Sequence, residues 1–66
     1  MAVLKVIEVL ASSDKNWEDA TQKAVDQAAK SLKHIRSVYV QEQSAIVKDG
    51  KIVEYRVNLK LSFEIE

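Results

Sequence analysis

The sequence predicts an α+β fold in the order strand, helix, strand, strand, with a three-stranded antiparallel sheet packed on one helix. Three observations carry that reading. Residues 51–66, "KIVEYRVNLKLSFEIE", alternate apolar and polar side chains almost without a break, as a strand with one buried and one wet face does. Residues 17–35 repeat apolar side chains at spacings of three and four, the stripe of an amphipathic helix. Asp49-Gly50, between two strand-like runs, is a two-residue hairpin signal because both residues tolerate positive φ.

The first strand is "VLKVIEVLA", residues 3–11. Leu4, Val6 and Leu10 share one face with Glu8, and Val3, Ile7 and Val9 share the other with Lys5. Both faces are mostly apolar, so both need cover. "SSDKN" then breaks the pattern. Asn16 is suited to cap a helix, and Asp19 three residues on resembles a capping box with Asp in place of Glu. The helical stripe is Trp17, Ala20, Ala24, Ala28, Leu32 and Ile35, and its alanine centre lets the helix lie close on a sheet. Asp19–Lys23 and Asp26–Lys30 are four-apart ion pairs. Lys30, Lys33, His34 and Arg36 sit late and complement the helix dipole.

The second strand runs from about Ser37 to Lys48, and the hairpin folds the third back on it. A right-handed crossover makes the first two strands parallel, with the third between them, in the order 1-3-2. A helix of about 18 residues covers about 27 Å, whereas the long third strand spans about 53 Å. The sheet therefore outruns its helix. Its outer apolar positions and free edges call for other subunits.

Composition narrows the function. The chain has 66 residues, read as a single domain over 1–66, with no Cys and one His. Disulfides and a thiolate or imidazole zinc site are thereby excluded. Chains of this size lean on such staples or on copies of themselves, which leaves self-association. Formal net charge is +0, so the footprint of a nucleic-acid binder is missing. No apolar run approaches the roughly 20 residues of a membrane span, and no signal segment precedes the first strand, so a cytoplasmic protein is expected. No catalytic constellation stands out. His34 has no Cys or Ser-centred motif to activate, which argues against an enzyme, and the helix-end preference explains the basic cluster around it without a ligand. Glu54, Glu64 and Glu66 alternate with Arg56 and Lys60 on the polar face of the third strand. Cross-strand ion pairing is the favoured reading of these carboxylates. They are weak metal candidates, because calcium takes six or more oxygens and would need several copies to converge. Trp17 suits a core or interface anchor.

"KVIEVLASS", "NWEDATQKAV", "LKHIRSVYV" and "DGKIVEYRV…FEIE" together resemble the dodecins, small flavin-binding proteins, along the whole chain. The resemblance implies a hollow homododecamer of cubic symmetry that binds riboflavin or FMN in pairs between subunits, for storage or protection and without turnover. It also implies site positions. The family's flavin-stacking Trp falls at Ser37, and the Gln that follows the third-strand aromatic falls at Arg56, after Tyr55. Arginines suited to the phosphates of FMN or coenzyme A fall at Ser44 and Glu64. The polar residue near the ribityl chain is kept as Glu42. Loss of a stacking ring is worth about ten- to hundredfold in affinity, and the Arg56 guanidinium plane is a substitute surface for stacking. Three functions follow: a flavin-binding assembly, an assembly that collects divalent cations such as calcium, and a structural shell without ligand.

Overall fold

The computed structural model describes residues 3–65, so Glu66 lies outside the described residues. The elements are β1 (Val3–Ser13), α1 (Trp17–Ala29), β2 (Ile35–Lys48) and β3 (Lys51–Ile65). The sheet order is β1-β3-β2, with β3 antiparallel to both neighbours, as the crossover predicts. Asp49 (φ 51) and Gly50 (φ 75) make the two-residue turn that joins β2 to β3.

The core forms where α1 lies on β3. Ala20 and Ala24 meet Val57 and Leu59, with Ala11 and Trp17 packed at the margin. Leu61 and Phe63 continue the buried row along β3. Small helical side chains over large strand side chains allow this close approach. Each fully buried Leu is worth about 1.5–3 kcal/mol.

The helix start follows its sequence signal with one change. Asn16 Oδ1 accepts the Asp19 N–H at 2.6 Å. Asp19 Oδ2 in turn accepts the Ser13 hydroxyl at 2.6 Å, and Ser13 Oγ accepts the Lys15 N–H at 2.9 Å. The carboxylate thus ties the helix to the end of β1. The Ser13 hydrogen bond holds the Asp19 carboxyl below its ordinary pKa. Desolvation opposes that shift, and Lys23, at 3.3 Å, and Lys15 add to it.

The helix end departs from expectation. α1 stops at Ala29 after 13 residues, with no basic residue in its last turn. Lys30, Lys33, His34 and Arg36 therefore lie beyond the helix, and Leu32 and Ile35 do not extend its stripe. The N–H groups of Ser31 and Leu32 both close on the Ala28 carbonyl, at 3.0 and 2.8 Å. His34, at φ 62, turns the chain into β2, where Ile35 faces Phe63. The cross-strand partner takes Ile35 from the helix. Asp26 accepts from Gln22 Nε2 at 2.9 Å, and Lys30 Nζ donates to Gln27 Oε1 at 3.4 Å. β1 and β2 each gain two residues over the expected spans, at Ser12–Ser13 and Ile35–Arg36.

The result is a slab of 50 × 20 × 13 Å. Leu4, Val6 and Leu10 are exposed on the face away from α1, Val38 and Val40 are partly bare on β2, and Val47, Ile52 and Val53 are bare at the hairpin. One helix leaves much of this sheet without a roof, as the lengths predict.

Candidate functional site

The register decides which expected site residues meet. Ser37 faces Ser62, Glu42 faces Asn58 and Ser44 faces Arg56. On β3, even-numbered residues point away from α1, because Val57, Leu59, Leu61 and Phe63 are the buried set. Ser37, Glu42, Ser44 and Arg56 therefore share the face away from the helix. Strict alternation along β2 would separate Ser37 from Glu42 and Ser44. The register shift between Val40 and Glu42 reunites them, as a β-bulge does.

At the hairpin end of this face lies an open cleft of about 420 Å³, lined by Leu10 and Ser12 of β1, Ser44 of β2, and Glu54, Arg56 and Asn58 of β3. Arg56 Nε donates to Glu54 Oε2 at 2.9 Å. Asn58 Nδ2 donates to Glu42 Oε1 at 3.1 Å. The cleft offers one guanidinium already balanced by a carboxylate, with hydroxyls and an amide beside an apolar wall. Such a lining fits a neutral, hydrogen-bonding ligand better than a phosphate.

Ser37 is not in the cleft. Ser62, its partner, lies six residues along β3 from Arg56, about 20 Å at strand rise. Ser37 and Ser62 hydrogen-bond through their hydroxyls. At the same end Arg36 Nε donates to Glu64 Oε1 at 2.7 Å, the cross-strand ion pair that alternation suggests. Glu54 and Glu64 thus stand at opposite ends of β3, each on an arginine. Among the described residues, no three His, Asp or Glu side chains gather to hold a metal ion within one subunit.

Tyr55 faces the other way. Its ring meets Trp17 edge-on, with centroids 4.9 Å apart at 78°. Trp17 Nε1 donates to the Ser44 carbonyl at 2.9 Å, so the helix start grips the backbone behind the cleft. That grip, and the part played by Leu10, Ser12 and Asn58, escape sequence reasoning. The anchor role of Trp17 was legible from its type, but its partner depends on the register.

The fold and this site define a small single-helix, single-sheet binding protein completed by copies of itself. The dodecin family model matches residues 3–66, and the chain belongs to that family. It is 37% identical over 65 residues to the calcium dodecin of Mycobacterium tuberculosis, covering 98% of this chain and 92% of that protein. It is 31% identical over 64 residues to the dodecin of Thermus thermophilus, covering 97% and 93%. Among solved structures, an arginine-to-alanine variant of Thermus thermophilus dodecin superposes with a TM-score of 0.94 at 30% identity, covering 100% of this chain and 98% of that one. The crystal structure of the Mycobacterium tuberculosis calcium dodecin, described as calcium-chelating with a novel calcium-binding site, matches with a TM-score of 0.84 at 39% identity, covering 98% and 93%.

Proposed function

We propose that this chain, a single domain over residues 1–66, assembles with copies of itself into a dodecamer in the cytoplasm. It binds a small molecule at the subunit junctions for storage or protection, and it is not an enzyme. The ligand is a flavin, riboflavin before FMN, held by Ser37, Glu42, Ser44 and Arg56, with Tyr55 supporting the strand from behind. One observation carries the reading. Ser37 and Arg56 share a face yet stand about 20 Å apart along the sheet, so a ligand touching both must lie between two subunits. Family membership and the bare apolar positions of the isolated subunit support the same assembly. Riboflavin ranks before FMN because the cleft cation, Arg56, is already neutralised by Glu54.

Titration of riboflavin fluorescence tests the proposal. The protein quenches the emission on binding, and Ser37→Trp, which restores a stacking ring, binds about ten- to hundredfold tighter. If neither protein quenches while both remain assembled, the flavin reading is wrong.

A second reading is favoured by the 37% identity to a protein named calcium dodecin. A calcium ion would be held by Glu54, Glu64 or Glu66 from several subunits around a symmetry axis. Its mark is an assembly mass that falls on adding a chelator and returns with calcium. A mass indifferent to chelator excludes a structural calcium.

A further inference from the structure

The geometry points to Tyr39 as a stacking platform for a flat aromatic ring on the face of the sheet away from the helix. The inference deepens the proposed function and rests on it. Among the described aromatics, Phe63 is buried, while Trp17 and Tyr55 pack on one another at the helix start. Tyr39 is 64% exposed. Register shifts fall on both sides of it, between Ile35 and Ser37 and between Val40 and Glu42. Tyr39, opposite Lys60, shares the face of Ser37 by alternation, and the shift between Val40 and Glu42 brings Glu42 and Ser44 onto that same face.

The surroundings of Tyr39 suit a planar heterocycle. Toward the start of β2 stands the hydroxyl pair of Ser37 and Ser62, which is too small to cover an aromatic ring. In the other direction Glu42 accepts from Asn58, and Lys60 is the direct cross-strand partner. A π face thus lies beside hydroxyls, a carboxylate–amide pair and an ammonium group. A flat ligand with hydrogen-bonding edges takes the apolar ring out of water and finds donors and acceptors around it. In this chain the stacking surface has moved two residues along β2 from Ser37, onto Tyr39.

Riboflavin is the probe, with assembly mass recorded for every variant. Tyr39→Phe keeps the π face and binds as the parent does. Tyr39→Ala, and Tyr39→Leu, which keeps apolar bulk without a π face, lose about ten- to hundredfold in affinity. Parental affinity in an assembled Tyr39→Leu or Tyr39→Ala overturns the role of Tyr39 and leaves the flavin reading standing. An assembled parent that does not quench riboflavin removes the flavin reading and the platform together. If both Ala and Leu variants fall apart while Phe assembles, Tyr39 is a contact between subunits and the platform is overturned.

Discussion

The two halves of β3 are alike in sequence pattern and meet different fates. Val57 is buried under α1, whereas Val53, the same residue type four positions earlier and unpaired at the register shift opposite Ile46 and Val47, is 43% exposed. Side-chain chemistry cannot be the cause. Reach is the cause: the 13 residues of α1 cover about 20 Å, against about 50 Å for the 15 residues of β3. The same contrast runs across the sheet, where α1 lies over β1 and β3 and leaves Val38 and Val40 of β2 partly bare. One half of the slab is a core in its own right, and the other is left open by the single helix.

Substitutions sharpen the contrast. Leu59→Ala, at the centre of the covered half, costs about 2–5 kcal/mol and lowers the denaturant midpoint. An unchanged midpoint would mean the core lies elsewhere. Ala24→Leu forces bulk between helix and sheet and costs about 1–3 kcal/mol on the same measurement. Val53→Asp, in the bare half, keeps the far-ultraviolet dichroism of a folded subunit and lowers the mass seen by light scattering. Retention of the parental mass would break the idea that copies cover this end. Trp17→Phe removes the bond to the Ser44 carbonyl at the boundary between the halves and costs about 0.5–1.5 kcal/mol.

The smallest effect is one of pH. The folded state lowers the Asp19 pKa, chiefly through Ser13. Folding therefore favours the ionised carboxylate. Its stabilisation is complete above the unfolded pKa of about 3.9 and fades as pH falls through the lower folded value. Ser13→Ala should flatten this acid limb in melts between neutral and acid pH. An acid limb as steep as the parent's would assign the shift elsewhere.

How much was legible depends on the range of the cause. The Asn16 cap, the Asp49-Gly50 turn and the alternation of β3 are local, and they read directly from neighbouring residues. The helix end was not legible, because Leu32 and Ile35 keep helical spacing. The single Gly stands in the hairpin, so no Gly marked the helix stop; Lys30 caps the helix at φ -68, and the positive φ falls at His34, at the entry to β2. The faces of the site residues were not legible either. Parity sets Ser37 against Glu42, and only the bulge in the pairing with β3 undoes it.

The order of elements, the strand pairing scheme and the shortage of helix over sheet were determined by the sequence alone, since each rests on periodicity or on chain length. Which apolar residues are sheltered, where α1 ends, and which polar side chains share a surface with Tyr39 were decided only by the tertiary structure. Those outcomes depend on residues far apart in the chain meeting in one register, and no local pattern carries that information.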